Sequence, residues 1–581
     1  MTTTAQTSSD RTTRGVPAHE RATASALGAG GGKEVDTYDW DTSFAIRFGD
    51  ANAAITQGWS NVQDDAKKVS ASSDGYGLTA TLGPWQLALG GDGRNVWMNL
   101  PVIDGSLQQP AGGPVGLAGA TFEVEINLQY VPNPAAEANH QLTVDPGGTA
   151  TSVRAVTGVD LSPIVEGIVK ELANLWLGAN LAAFNHVFHD LDLSQNIDTD
   201  ETWAFITPTA VSYAVTDGGT MDTSVFGVLT MTGGRPAPET HQVSPNAIPD
   251  GSNSGFNISG PIFTDKMLLT GAALQFEQPS SVTSKEQGSP ERQKAFDDWV
   301  AASFSITNDG MTVTNSAAMT LGSFVDDGGH TRALKIPATD FKLSVDYSFV
   351  EVQFVDLAYS FSPGIDVHIN YTQHFTAGLA DGKDAQGNAV KVFTLENLDR
   401  DCTVSVTKSR EVQITQILTG IGIGIAGAVL GGMAGEAVGA LIKGAGQAAA
   451  DGAAIAAEGA SMTIADGSGE VSAQATTLAA DGAATAGAEA AGATGASMSG
   501  FLARVAPKLV GAMIGAGIGG TLAAIPDFVV LAAGDDFDKL PSFTTFAERC
   551  IQAHNWPGQS GYSLKTASLA SAFQLGGDLT W

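Results

Sequence analysis

The spacing of apolar residues changes period repeatedly along this chain. Phe44, Phe48, Ala51, Ile55 and Trp59 recur in steps of four, three, four and four, which predicts an amphipathic helix. The period then falls to two. Leu78, Ala80 and Leu82 alternate with polar neighbours, and Trp85, Leu87 and Leu89 continue after Gly83-Pro84. The turn Gly90-Gly91-Asp92-Gly93 leads into Val96, Met98, Leu100 and Val102, which reads as a hairpin with glycine where positive φ is needed. Phe122, Val124, Ile126, Leu128 and Tyr130 predict a second long strand, stopped by Pro132. One clear helix interrupts the strands. Ser162 is placed to cap it and Pro163 to occupy its first position. Val165, Ile168, Val169, Leu172, Leu175 and Trp176 form its apolar face, which breaks near Gly178 and resumes through Leu181 and Phe184.

Further along, Leu343, Val345, Tyr347 and Phe349 alternate. The phase slips to Val350, Val352 and Phe354, and again to Val355, Leu357, Tyr359 and Phe361. Each slip would reverse the faces unless a β-bulge absorbs the extra residue and bends the strand. Ile365, Val367, Ile369 and Tyr371 supply an antiparallel partner across Ser362-Pro363-Gly364. These patterns predict an α+β fold built on an elongated, strongly curved antiparallel sheet with one apolar face, not a βαβ alternation.

Residues 412–435 and 509–526 break this pattern, because neither stretch holds a charged residue. Gly427, Gly431, Gly435 and Gly439 recur every fourth position in and beyond the first, and Gly511, Gly515 and Gly519 do so in the second. On a helix these would form smooth ridges for close packing. The Ala-, Gly-, Ser- and Thr-rich residues 443–500 between them read as a flexible or loosely helical insert, although Asp451-Gly452, Asp466-Gly467 and Asp481-Gly482 are evenly spaced. The whole is expected to be an inserted helical hairpin. Packing within the protein is preferred over membrane contact, since Gln413, Thr415 and Gln416 interrupt the first segment and the second is short for a span.

Charge narrows the partners. With 61 acidic and 29 basic residues, the chain carries a net charge of −32, which argues against nucleic-acid binding and against simple attraction to anionic lipid. Cys402 and Cys550 form no metal or redox spacing and no disulfide framework. The first thirty or so residues are polar and lack an apolar core, so they read as a tail and not a secretory signal. A cytoplasmic location is the default expectation, with release or export by a non-classical route left open. Gly422-Ile423-Gly424-Ile425-Ala426-Gly427 fits the dinucleotide fingerprint literally, but no βαβ unit or suitably placed acid follows. His186 and His189, spaced for one helix face, with Asp190 and Asp192 are the densest set of metal-ligand types, yet no third ligand has convincing spacing. Asp198-Thr199-Asp200-Glu201 lacks the features of a calcium loop. No nucleophile or phosphate-loop motif is present. Neither a cofactor nor a metal is expected, and nothing points to an enzyme.

The order of several short motifs resembles one family. They are Thr37-Tyr38-Asp39-Trp40-Asp41, Trp85-Gln86-Leu87 running into Gly90-Gly91-Asp92-Gly93, Leu100-Pro101, Phe122 to Tyr130, Pro208 to Val215, Phe263 to Leu269 and the closing Phe573 to Gly577. Together they resemble the clostridial forty-seven-kilodalton accessory proteins encoded beside botulinum-type and insecticidal toxin genes. That resemblance implies a tubular lipid-binding (TULIP-like) fold, with a curved sheet wrapped around long helices. It also implies lipid binding or toxin assistance, with a toxin or assembly protein as partner. The organisation expected is a tail over 1–34, a TULIP-like region over 35–410, the hairpin insertion over 411–534, and a segment over 535–581 that completes the TULIP-like region. The inward candidates for an apolar groove are Phe44, Phe48, Ile55, Val124, Ile126, Leu128, Val345, Tyr347, Phe349, Val367, Ile369 and Tyr371. The same residues would fill a solid core, so an open lipid groove and a packed interior both stand. A membrane-active role for the hairpin and a structural or assembly role are the alternatives.

Overall fold

A computed structural model describes residues 33–133, 136–148, 151–192, 205–269, 290–325, 331–362, 365–383, 389–408, 460–466, 469–473 and 543–581. The glycine ridges at Gly427, Gly431, Gly435, Gly439, Gly511, Gly515 and Gly519, the tail over 1–32 and Asp198 to Glu201 lie outside these residues. The architecture is mostly antiparallel β-sheet with few helices. The principal helices are α1 (Phe48–Gly58), α2 (Pro163–Asn180), α3 (Pro290–Ser303) and α4 (Phe543–Ile551). Among the described residues, no helix is long and apolar enough to cross a membrane.

A seven-stranded sheet organises the first half of the chain. Its strand Thr42–Arg47 pairs antiparallel with Val225–Thr232 on one side and Ser254–Ser259 on the other. Ala572–Thr580 then pairs with Ser254–Ser259, and Gly561–Ala570 closes the C-terminal hairpin. Phe44 is therefore a strand residue and not part of a helix with Phe48. The steps from Phe44 to Trp59 fit helical spacing, but a strand flanked on both sides buries nearly all of its residues regardless of alternation. Five of the six side chains in Thr42–Arg47 are buried, and α1 starts only after it.

A second sheet joins Ser152–Thr157, Thr121–Ile126, Val96–Gln108, Tyr76–Leu82 and Lys68–Ser73 in that order. The predicted alternation over Leu78 to Leu82 and Val96 to Val102 is present, with the expected residues buried. Gln86–Leu87 pairs back onto Asn99 and Met98 as the hairpin reading requires. The strand predicted from Phe122 to Tyr130 is two strands. Thr121–Ile126 stays in this sheet, whereas Leu128–Asn133 joins a four-stranded sheet with Ala136–Val144, His189–Leu191 and His554–Asn555. The break at Asn127 is held from outside the segment: the Leu128 amide donates to the Tyr213 hydroxyl at 2.7 Å, and that hydroxyl donates to the Arg94 carbonyl at 2.9 Å.

Helix α2 begins as its sequence predicts, with Ser162 Oγ accepting from the Val165 amide at 3.4 Å and Pro163 in the first turn. Val169, Leu172, Ala173, Trp176 and Leu177 are buried, and a 3₁₀ turn over Leu181–Ala183 continues the chain. Leu175 departs from the expected face and is 53% exposed. The buried stripe faces Lys68–Ser73, Tyr76–Leu82 and Ser152–Thr157, with Trp176 also edge-on to Trp85.

The last large sheet has eight strands, including Phe341–Asp346, Phe349–Ser362, Ile365–Lys383 and Ala389–Lys408. The pairing of Ile365–Lys383 with the preceding strand follows the predicted hairpin, and the register shift between Phe354 and Leu357 is the expected bulge; a second shift, between Ser360 and Ser362, leaves no phase slip in the sequence. The first predicted slip is something else. Asp346 faces Phe349 across a tight turn, with Tyr347 at φ 42° in it. Two further strands, Ala460–Asp466 and Gly469–Ala473, form a hairpin on the edge of Ala389–Lys408. This part of the Ala/Gly-rich insert is thus extended and not helical. Thr463, Ile464 and Val471 are β-branched, which favours strand over helix when an edge is available to pair with.

Candidate functional site

The motif at residues 37–41 fixes the central strand. Tyr38 and Asp39 take positive φ, turning the chain inward. Trp40 is fully buried and its indole N–H donates to the Thr240 carbonyl at 2.8 Å. The Asp41 carboxylate, 1% exposed, accepts from the Thr232 amide at 2.7 Å, from Thr232 Oγ1 at 2.9 Å and from the Arg235 guanidinium. A buried carboxylate is tolerable only when so many donors replace its water. The motif is therefore an anchor, and it aims Phe44 into the interior.

Most of the groove candidates meet there. Phe44, Phe48, Ile55, Val124, Ile126, Leu128 and Val345 are buried in one continuous apolar cluster. Phe44 packs edge-on to Phe256 (ring centroids 6.0 Å), His554 (5.5 Å) and Trp556 (5.8 Å). Phe349 is also buried, with its ring 4.6 Å from that of His374. Tyr347 is not inward: the turn that replaces the expected strand leaves it 40% exposed. Val367, Ile369 and Tyr371 occupy alternate positions of Ile365–Lys383, opposite Tyr359, Leu357 and Phe354.

A polar cluster that the sequence does not reveal lies inside this apolar interior. His189 and His554 are 365 residues apart, yet His189 Nε2 lies 3.3 Å from His554 Nδ1, and His189 Nδ1 lies 3.2 Å from the Tyr130 hydroxyl. The Trp556 ring packs 4.9 Å from that of His189. Burial pushes both imidazoles down, His554 to about 3, while His189 is lowered further by its neighbour. Both are neutral near pH 7. The strands His189–Leu191 and His554–Asn555 bring them together. His186 precedes them in an extended segment, so the expected helical spacing of His186 and His189 does not arise. It sits between the Phe184 and Phe188 rings, 5.9 and 5.1 Å away. Among the described residues, no three His, Cys, Asp or Glu side chains gather to hold a metal. Burial raises the Cys550 thiol well above its ordinary value, keeping it protonated and weakly nucleophilic.

The strand after the motif thus joins Val225–Thr232 to Ser254–Ser259, which in turn pairs with Ala572–Thr580. A family model described as OrfX-like, Protein OrfX2/OrfX3/P47, matches residues 37–477. The chain belongs to the OrfX-like family. It is 29% identical over 278 residues to Protein OrfX3 of Paraclostridium bifermentans, covering 42% of this chain and 56% of that protein. It is 27% identical over 270 residues to Protein OrfX3 of Clostridium botulinum (strain Kyoto / Type A2), covering 41% and 54%. These matches span about half the length of the curated relatives. P47 of Clostridium botulinum E1 is a structural neighbour with TM-score 0.48 and 10% identity, covering 93% of this chain and 99% of that one. P47 from Clostridium botulinum A2 gives TM-score 0.46 and 12% identity, covering 67% and 86%. At these scores the structural likenesses carry no argument, and family membership rests on the sequence match.

Proposed function

We propose that this OrfX-like chain is a non-enzymatic accessory protein of a toxin complex that carries lipid or another apolar ligand between its sheets, in the TULIP-like manner. The supporting observation is the single apolar cluster that runs from Phe44 and Leu128 to Val345 and Phe354, uniting the sheets of both halves of the chain. The N-terminal candidates are packed against one another, so the ligand is assigned to the other end of that interior. There the long strands Phe349–Ser362, Ile365–Lys383 and Ala389–Lys408 pair side by side, and bulges bend the first and the third. Val367, Ile369 and Tyr371 are the proposed lining.

Native mass spectrometry of the full chain, followed by solvent extraction, tests the proposal. A co-purifying or vesicle-acquired lipid is expected, and Ile369→Asp should reduce its occupancy severalfold while Phe44→Leu leaves it unchanged. A folded protein that carries no lipid and takes none from vesicles would refute it.

A further inference from the structure

A concavity lies outside the apolar interior. It has a volume of about 360 Å³ and forms where the end of α1 meets the segment before His189 and the loop after Asn555. This is at the lower end of the roughly 300–1,000 Å³ typical of small-ligand sites. His186 forms part of its wall. That side chain is 8% exposed and has no hydrogen-bond partner among the described residues. A buried imidazole normally satisfies both ring nitrogens, so one left open toward a cleft points to a partner that arrives from outside. Gly58 keeps the approach clear. A Cβ added there would stand 3.4 Å from His186 Nδ1.

The rest of the lining defines the chemistry. Gln57, Asn61 and Asn185 present side-chain amides, and Val62 and Pro557 present apolar surface. Asn185 Oδ1 already accepts from the Gln63 amide at 3.3 Å, which leaves its NH₂ to donate. Among the described residues, no lysine, arginine or carboxylate lines the cleft. An anionic ligand would therefore find no counter-charge in a chain of net charge −32, and a cation would find no carboxylate. Neutral amides and a neutral imidazole each offer donors and acceptors, the complement of hydroxyl groups that do both. We propose that this cleft binds a neutral sugar ring, with His186, Gln57, Asn61 and Asn185 as its hydrogen-bond partners and Val62 and Pro557 against its C–H face. Burial holds His186 at about 4, so the imidazole keeps its acceptor nitrogen well below neutrality.

The test uses the full chain at about neutral pH and saturation-transfer NMR with galactose, glucose, mannose and N-acetylglucosamine, with sialic acid as the anionic control. At least one neutral sugar is expected to respond and sialic acid is not. His186→Phe keeps a ring between Phe184 and Phe188, and Gly58→Val closes the approach at an unstrained backbone position. Each should weaken binding at least tenfold without changing the urea midpoint at neutral pH. Phosphatidylcholine vesicles with and without glucosylceramide distinguish the sources. Retention on the glycolipid vesicles that both variants abolish assigns the sugar to a lipid headgroup, and response to free sugar alone assigns it to a soluble or protein-linked glycan. No response to any sugar, or a response that both variants retain, overturns the proposal. Lipid extracted from the apolar interior should be the same in Gly58→Val as in the wild type, which separates this site from that one.

Discussion

Acidification from about pH 7 to about pH 5 will remove a large part of the folding free energy through the buried imidazoles. His186 and His554 are 8% and 2% exposed, and burial lowers them to about 4 and about 3. In the unfolded chain each returns to about 6.5. The folded state thus binds fewer protons than the unfolded state, and stability falls as pH drops below about 6.5 until the folded value is reached. At about pH 5 the unfolded imidazole is nearly all protonated and the folded one nearly all neutral, which costs roughly 2 kcal/mol for each group. The two together cost roughly 4 kcal/mol, against a typical total of about 5–15 kcal/mol. His189 acts in the same direction. Asp50 and Asp190 act oppositely, because desolvation raises them and their protonation on acidification favours the fold. Relief of the −32 net charge also favours it. The clean measurement is therefore a difference. Urea unfolding of wild type and His186→Phe at both pH values should show the variant losing roughly 2 kcal/mol less than the wild type. Equal losses within about 0.5 kcal/mol would refute the assignment of a buried, neutral imidazole at position 186.

Three stability predictions follow from single contacts. Arg235→Ala strips the guanidinium from the buried Asp41 carboxylate and should cost about 1.5–3 kcal/mol, read as a lower urea midpoint; no change would mean that the Thr232 bonds alone suffice. Gly255→Ala would drive a Cβ into the Ala247 carbonyl oxygen, so it should cost about 3 kcal/mol or more by thermal unfolding, and a wild-type melting curve would contradict this packing. Phe44→Ala should cost about 3–5 kcal/mol by urea unfolding, whereas Tyr347→Ala at its exposed turn should stay within about 0.5 kcal/mol. Comparable losses at the two positions would restore Tyr347 to the interior.

Local rules made much of this chain legible. Leu78 to Leu82 and Val96 to Val102 alternate because successive strand residues face opposite sides. Ser162-Pro163 starts α2 because a hydroxyl acceptor and a missing N–H suit the first turn of any helix. The bulge near Phe354 is visible as a phase slip, the one near Ser360 is not, and the slip after Phe349 is produced by a tight turn, which shifts the phase as a bulge does. The motifs that carry the family resemblance were legible too, but not what they do: Asp41 looks like a surface acid until Thr232 and Arg235 close over it.

The sequence by itself determined which side of the strands over Leu78 to Leu82 and Val96 to Val102 is apolar, where α2 begins and that the fold is mostly antiparallel, because these depend on neighbours a few residues apart. Only the tertiary structure decided that Phe44 belongs to a central strand, since pairing with Val225–Thr232 and Ser254–Ser259 outweighs a helical spacing that α1 can satisfy without it. It also decided that the chain turns between sheets at Asn127, where Tyr213 holds it. The buried imidazoles show the difference most fully. His186 and His554 are ordinary polar residues in the sequence. Their neutrality, and the cleft that exposes the first, come from burial by segments hundreds of residues apart, and no local pattern encodes that.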